Sequence, residues 1–257
     1  WAGAFGDVGT LIPFVVAYIT IVKMPPLGLL FMFGIMLLAS GLYYRTPMPI
    51  QPMKAIGAAA IAGGISPAAL YGAGFTTGLF WLFAGFTGMI RPIARLATKP
   101  VVRGIMLGLG LTFMVDGVHR MTTAPVLAGI GLVVTYLLLT NPKVPAMFIL
   151  LMIGIASAVI TNPQIFSELA KIHVGFQLPV FSLPLITWND LVTGTLLFTL
   201  PQIPLTLGNA VIAITAENNE HFPDRPVTEK KIAISQGIMN LIAPLFVREA
   251  IDEPHPI

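Results

Sequence analysis

Long apolar runs separated by short polar or proline-containing breaks fill most of this chain. The first full-length runs cover Gly6–Val22, Leu27–Tyr44 and Pro67–Ile90. Each is close to the ~20 residues that an α-helix needs to cross a bilayer. Further runs follow at Val101–Val118, Pro125–Thr140, Val144–Thr161, Trp188–Ala216 and Ile232–Phe246. Together with a short helix that ends near Ile61, this pattern predicts nine membrane segments, two of them irregular.

The composition agrees with an all-α membrane protein surrounded by lipid. The chain is 56% hydrophobic and only 10% charged, whereas a soluble domain carries about 25% charged residues. The absence of cysteine excludes disulfides and thiolate metal sites. Four scattered histidines predict no metal site, and the net charge of +3 gives no case for nucleic acid. We find no catalytic constellation, so we expect no enzyme and no cofactor.

Basic residues predict the orientation, because short cytoplasmic loops are enriched in Lys and Arg. Arg45, the cluster from Arg91 to Arg103, Lys143 and Lys230-Lys231 all follow even-numbered segments. We therefore expect a cytoplasmic N-terminus in an inner or plasma membrane. The first residue is Trp1, which suggests that the sequence starts inside a longer protein.

The break at Thr46–Lys54 contains three prolines, a glutamine and a lysine. Proline is tolerated in the first turn of a helix but not in its interior. We therefore predict that Pro47–Ile50 is extended and that a helix starts at Gln51 or Pro52. A helix that begins inside a membrane directs unpaired N–H groups and a positive dipole end at that point, which suits an anion.

Two ionisable residues lie deep within apolar sequence, Asp7 and Lys54. A charge at mid-membrane costs about 2.5–3.5 kcal/mol on insertion scales, so it usually has a partner or a function. One interpretation puts both at a polar cavity. The alternative is that Asp7 caps a helix at the interface while Lys54 extends to the headgroups. Around Asp7, the break Gly6–Pro13 also offers the Thr10 hydroxyl, although its glycines could simply serve helix packing.

A third break covers Leu200–Ala210, where Pro201 and Pro204 are expected to interrupt the helix. Gln202, Thr206 and Asn209 follow a spacing of i, i+4 and i+7, which is one helical face. Such a stripe lines a cavity or forms a hydrogen-bonded seam between helices. Another polar group, Asp116, His119 and Arg120, follows a predicted span and is interpreted as interfacial rather than as a proton relay.

The three breaks together resemble the signature segments of the molybdate transporter family, relatives of the SulP sulfate permeases. The resemblance lies in Gly6–Pro13, Pro47–Ala55 and Leu200–Val211, and it continues in order to Phe246. It implies an inverted-repeat fold of seven plus seven segments with core and gate domains, here truncated to about nine. Segments three and ten would be half-helices that meet at the midplane around the anion.

The resemblance also implies a division of the chain and a set of binding residues. Residues 1–161 would form the first repeat, 162–187 an extracytoplasmic connection and 188–246 the start of the second repeat. Residues 247–257 form a polar tail that departs from the family. The residues expected near the oxyanion are Thr10, Gln51, Lys54, Gln202, Thr206 and Asn209, with Asp7 as a coupling or structural charge.

The predicted function is alternating-access transport of a tetrahedral oxyanion, molybdate ahead of sulfate, with a homodimer as a candidate assembly. One alternative is a nucleobase or organic-anion permease of the same fold. It would need a carboxylate facing the pocket from segment eight or ten, whereas segment eight offers amides and a hydroxyl. Another alternative is a membrane fragment or scaffold that does not transport.

Overall fold

The computed structural model describes residues 2–62, 66–90, 92–93, 99–139, 141, 144, 146–165, 167, 178–179 and 181–246. In this part of the chain, all regular secondary structure is helical. The helices are α1 (Ala2–Thr20), α2 (Pro26–Tyr44), α3 (Lys54–Ile61), α4 (Pro67–Thr87), α5 (Lys99–Thr123), α6 (Pro125–Leu138), α7 (Ala146–Thr161), α8 (Trp188–His221) and α9 (Glu229–Ile242).

The chain divides into two compact units. One consists of Trp1–Pro13 and Met114–Gln177, and within it α6 packs against α7. The other consists of Phe14–Phe113 and Leu178–Ile257, and it contains all the contacts discussed below. Its centre is α4, which packs along α9 and against the first half of α8.

Three of the described helices are long and apolar enough to cross a membrane: Pro26–Tyr44, Pro67–Thr87 and Trp188–His221. Shorter apolar helices cover Leu11–Thr20, Pro125–Leu138 and Ala146–Thr161. The chain is thus an all-helical integral membrane protein, as its composition predicts. The count of nine membrane segments stays a prediction.

The ends of α2 and α4 follow directly from sequence signals. Helix α2 has Pro26 in its first turn and ends at Tyr44, directly before Arg45, whose backbone is left-handed at φ 55°. Helix α4 is capped by Ser66, whose hydroxyl oxygen accepts the Ala69 N–H at 3.1 Å. This contact satisfies one of the N–H groups that the first turn of a helix leaves unpaired. Helix α2 starts one residue before its predicted span, and α4 ends three residues before the end of its predicted span.

The predicted start of α3 at Gln51 or Pro52 is wrong, because the helix begins at Lys54. The residue before a proline is disfavoured in the helical region, which keeps Gln51 out of the helix. The Met53 carbonyl accepts the Gly57 N–H at 2.8 Å, which closes the first turn. Residues 47–53 form no regular secondary structure.

Helix α5 corrects another prediction, because it starts before the predicted span and ends after it. Lys99 and Arg103 lie in its first turns rather than in a loop, and Asp116, His119 and Arg120 lie within it rather than in the next turn. Arg91 and Arg95 lie outside the described residues, as do residues 166 and 168–177 of the expected extracytoplasmic connection and the whole tail at 247–257.

The expected break at Pro201 and Pro204 is also wrong, because α8 continues through both prolines. The α-helical turns that contain them, Leu200–Thr206, are flanked by π-helical segments at Gly194–Thr199 and Leu207–Ala213. A proline lacks an N–H and its ring clashes with the carbonyl four residues earlier. Wider π turns relieve this mismatch, and membrane helices use such adjustments around proline.

The charged stretch between the apolar runs Trp188–Ala216 and Ile232–Phe246 predicts a loop at Glu217–Lys231, and the observed loop is shorter. Helix α8 continues to His221, so Glu217 is helical. Helix α9 then begins at Glu229, after Thr228, whose hydroxyl oxygen accepts the Lys231 N–H at 3.3 Å. The predicted last helix at Ile232–Phe246 therefore starts three residues earlier and ends in a short 3-10 turn at Ala243–Leu245.

Glycines let α8 and α9 approach the backbone of α4 closely. A Cβ atom on Gly194 of α8 would lie 2.7 Å from the Ala69 carbonyl oxygen. A Cβ on Gly237 of α9 would lie 2.7 Å from the Leu82 backbone nitrogen. Small residues at helix crossings are typical of membrane proteins, where packing rather than water exclusion drives association. Next to these crossings, Trp81 is fully buried in the core of this unit.

Candidate functional site

A side chain of α8 caps the start of α3. The Ala55 N–H donates a hydrogen bond of 2.8 Å to the Gln202 side-chain oxygen. The nitrogen of the same amide donates to the Thr206 hydroxyl oxygen at 2.8 Å. Since a backbone N–H needs an acceptor, this pairing fixes which end of the Gln202 amide faces α3. Two of the three polar breaks recognised in the sequence thus meet in one contact.

This contact occupies one of the N–H groups at the start of α3, where the sequence predicts that an anion binds. The Ala55 N–H is occupied by Gln202 while the bond stands. The N–H groups of Lys54 and Ile56 belong to the same first turn, where no carbonyl of the helix itself is within reach. The start of α3 therefore has N–H donors left for a further acceptor. The positive end of the helix dipole lies at the same place.

A cavity of about 290 Å³ lies beside this contact. It is many times larger than the ~10–15 Å³ that a cavity needs, on this measure, to hold one water molecule, so a small anion and its waters fit. Its walls come from residues 49–54, from one face of α8 and from α9. The lining residues are Pro49, Gln51, Pro52, Met53, Lys54, Gln202, Leu205, Thr206, Asn209, Ala210, Ile214, Glu217 and Gln236.

Five residues predicted to bind the oxyanion line this one cavity. They are Gln51, Lys54, Gln202, Thr206 and Asn209. Gln202 and Thr206 form its buried end, with exposures of 4% and 7%. Lys54 and Asn209 are half-buried, and Gln51 is exposed. The polar stripe of α8 thus faces a cavity, and Gln202 also joins the helices as a seam would.

Two predicted residues lie in the other compact unit. Asp7 and Thr10 are in the first half of α1, where the structure describes the backbone and not the side chains. Their part in the site stays a prediction.

The cavity wall carries two ionisable groups within the described residues, the Lys54 ammonium and the Glu217 carboxylate. The other polar lining groups are the side-chain amides of Gln51, Gln202, Asn209 and Gln236 and the Thr206 hydroxyl. In the described part of the chain, the Lys54 ammonium forms no hydrogen bond or ion pair. Its charge is therefore available to a bound anion.

Comparison with known proteins assigns the family. Residues 1–113 and 194–251, more than half of the chain, match the model of a family described as molybdate transporter of the MFS superfamily. The chain belongs to this family. All the residues that line the cavity fall within the matched ranges. The description names the MFS superfamily, and a relation to sulfate permeases stays a prediction.

The chain is similar to two curated Arabidopsis thaliana proteins. It is 27% identical to Molybdate transporter 2 and 28% identical to Molybdate transporter 1, each over 296 aligned residues. Both alignments cover 95% of this chain, but only 62% and 63% of the relatives. The chain therefore spans somewhat less than two thirds of the length of these relatives.

A shorter similarity links the chain to an algal protein. Molybdate transporter 1 of Chlamydomonas reinhardtii is 36% identical over 104 residues, which cover 38% of this chain and 19% of that protein. No solved structure matches the chain.

Two polar residues of the cavity are absent from the sequence prediction, Glu217 and Gln236. Glu217 follows Asn209 by eight residues, and the π-helical segment Leu207–Ala213 lets those eight residues complete two turns. In a regular α-helix, eight residues make more than two full turns, so Glu217 would not lie on the same face as Asn209. Gln236 is a polar position on α9 whose orientation depends on packing against α4. No signal in the sequence near Gln236 indicates the cavity.

A second, mostly apolar cavity of about 160 Å³ shares part of this wall. Gln51, Pro52, Met53 and Gln236 line both cavities, so these residues form a wall that the two cavities share. The apolar side is rich in methionine, a flexible side chain that fills irregular space. Its methionines are Met24, Met32, Met36, Met53 and Met239.

Proposed function

We propose that this chain forms the substrate-binding part of a transporter for a tetrahedral oxyanion, molybdate rather than sulfate. The observation that carries the proposal is the convergence of Lys54, the start of α3 and the polar face of α8 on one cavity. Family membership and the names of the relatives favour molybdate as the ion.

The chemistry of the cavity suits a dianion with oxygen atoms in all directions. Amide N–H groups, a hydroxyl, a helix N-terminus and an ammonium can donate hydrogen bonds at the same time. Bonds from a charged donor to an anion are about twice as strong as neutral ones. No step in this scheme breaks a covalent bond, so the proposed activity is transport and not catalysis.

The proposed architecture is the inverted-repeat fold with core and gate domains, as in relatives of the sulfate permeases. Helices α1–α7 belong to its first repeat, α3 is the half-helix, and α8 and α9 start the second. Alternating access then moves the core past the gate. Thr10 lines the same site in this scheme, Asp7 acts as a coupling charge, and the N-terminus is cytoplasmic in the cell membrane. A homodimer is the proposed assembly.

The alternative function is a nucleobase or organic-anion permease. The sequence argued against it because α8 offered no carboxylate that could face the pocket. The expectation that α8 contributes only amides and a hydroxyl is wrong, because Glu217 also lines the cavity. The presence or absence of a carboxylate on α8 therefore does not distinguish an oxyanion transporter from a nucleobase or organic-anion permease. The family match and the named relatives favour an inorganic oxyanion instead.

The test is saturable uptake of labelled molybdate into proteoliposomes that contain the purified chain, with sulfate and uracil as competitors. Binding is measured in parallel as a ligand-induced rise in the unfolding temperature in detergent. We expect molybdate to bind, sulfate to compete weakly and uracil not to compete. Binding without uptake would support a scaffold that does not transport, and a stabilising effect of uracil alone would support the permease alternative. If neither oxyanion binds, the proposal is wrong.

A further inference from the structure

The side-chain amide of Gln236 has no hydrogen-bond partner in the part of the chain that the structure describes. Gln236 lies on α9, is half-buried and lines the polar cavity. It also lines the apolar cavity, so its side chain belongs to the wall that the two cavities share. Polar groups that are withdrawn from water in a folded protein usually have a partner. The Gln236 amide therefore has donors left for water or for a ligand in the polar cavity.

Both neighbours of Gln236 hold the backbone of α9 in place. The Ser235 hydroxyl shares a hydrogen bond of 2.5 Å with the Tyr44 hydroxyl of α2. On the other side, Gly237 lies against α4, where an added Cβ would be 2.7 Å from the Leu82 backbone nitrogen. Contacts with two helices thus fix the point from which the Gln236 side chain extends. A donor whose position is set before binding loses less conformational freedom when a ligand arrives.

We infer that Gln236 is a further binding residue of the oxyanion site and helps to select an anion. This inference rests on the proposed function, since it needs an oxyanion in the polar cavity. The amide NH₂ group donates to the ion from α9, while Lys54 and the start of α3 form another wall and the polar face of α8 a third. The oxygens of a tetrahedral ion point in different directions, so donors on three elements can hold it together. A carboxylate in place of this amide could only accept hydrogen bonds and would repel the ion.

The test compares two substitutions at this position. Gln236→Leu removes the donors without adding a charge, and it should lower the affinity for molybdate by roughly tenfold, the usual effect of losing one hydrogen bond to a charged group. Gln236→Glu keeps nearly the same shape but can only accept hydrogen bonds when ionised, so it should bind molybdate more weakly still. Calorimetric titration of the purified chain in detergent measures both affinities at about pH 8, where a glutamate side chain is normally ionised.

Asn240→Leu is the matched control. Asn240 is a half-buried amide on the same helix, four residues after Gln236, and it lines the apolar cavity but not the polar one. Its replacement should leave the affinity for molybdate unchanged. The unfolding temperature without ligand is a second readout, because an amide with a structural role would lose stability when leucine replaces it. We expect Gln236→Leu to be at least as stable as the wild type, since it loses no hydrogen bond within the described part of the chain.

The outcomes separate this inference from the proposed function. Weaker binding by Gln236→Leu at an undiminished unfolding temperature supports the inference. If the wild type binds molybdate and either Gln236 variant binds it equally well, the inference is wrong and the proposed function stands. The same holds if Asn240→Leu loses as much affinity as Gln236→Leu, or if the loss in Gln236→Leu comes with a lower unfolding temperature of the ligand-free chain. If the wild-type chain binds neither molybdate nor sulfate, both are wrong.

Discussion

The Ala55 N–H donates a hydrogen bond of 2.8 Å to the side-chain oxygen of Gln202, 147 residues later in the chain. This contact joins the first turn of α3 to the proline-containing part of α8. Gln202 is 4% exposed and Ala55 is half-buried, so loss of this bond would cost free energy. The contact therefore sets how the two halves of the cavity wall face each other.

Gln202→Leu should destabilise the chain by about 0.5–1.5 kcal/mol, the usual net contribution of one hydrogen bond, because the half-buried Ala55 N–H loses its acceptor. Leucine has a similar size but accepts no hydrogen bond from Ala55. We also expect weaker molybdate binding, because Thr206 loses its partner on the cavity wall. Unfolding temperature and a molybdate titration in detergent measure the two effects. Gln164→Leu, at an exposed position in the other compact unit, is the control. Equal behaviour of both variants would contradict the capping role.

Lys54→Gln should lower molybdate affinity by roughly 10- to 100-fold. Hydrogen bonds to charged groups contribute about 1.5–3 kcal/mol, and each 1.4 kcal/mol corresponds to a factor of ten. Lys23→Gln removes the same charge from an exposed turn outside the cavity and should leave affinity unchanged. Calorimetric titration compares the two. A loss of similar size in both would mean that net charge, and not the position of Lys54, determines binding.

Thr199→Val should destabilise the junction of α4 and α8. Thr199 is 2% exposed, accepts a hydrogen bond of 3.1 Å from the Thr77 hydroxyl and donates one of 3.2 Å to the Ala73 carbonyl. Valine keeps the shape but leaves the buried Thr77 hydroxyl without this partner, at a cost of about 1–3 kcal/mol. Thr199→Ser keeps the hydroxyl and should retain most of the stability. Thermal unfolding measures both, and a serine variant as unstable as the valine variant would exclude the hydrogen bonds as the cause.

Gly237→Ala should lower the unfolding temperature through overpacking at the crossing of α9 and α4. The added Cβ would lie 2.7 Å from the Leu82 backbone nitrogen and 2.9 Å from the Gly78 carbonyl oxygen, so backbone must move. Overpacking of this kind typically costs about 1–3 kcal/mol. Gly34→Ala is the matched control, because nothing lies within 4 Å of its Cβ position. It should be neutral or stabilise by about 0.5–1 kcal/mol, as alanine does in helix interiors. Similar losses at both positions would contradict close packing as the reason.

The elements that could be predicted from sequence are those set by local chemistry. Helix α2 and the capped start of α4 follow from apolar runs, from proline in the first turn and from the Ser66 cap. The non-helical break before α3 follows from the steric effect of proline on the residue before it. These features depend on neighbours within a few residues, so no knowledge of the fold is needed.

Local rules give the wrong result for α8. Two prolines predict an interruption, yet π-helical segments on either side keep the helix continuous. The choice between a break and a wider turn depends on packing, because Gly194 in the first π segment lies against the backbone of α4. The same turns decide the orientation of Glu217, which the sequence assigned to a loop.

The sequence by itself determined that this is a helical membrane protein, which segments are apolar, and which polar residues interrupt them. Composition and periodicity carry that information because burial in lipid excludes most polar groups. Only the tertiary structure decided which interruptions meet. The bond from Ala55 to Gln202 and the shared cavity of Lys54 and Glu217 join positions far apart in the chain. Such contacts depend on helix crossings and on the register of π turns, which no local pattern specifies.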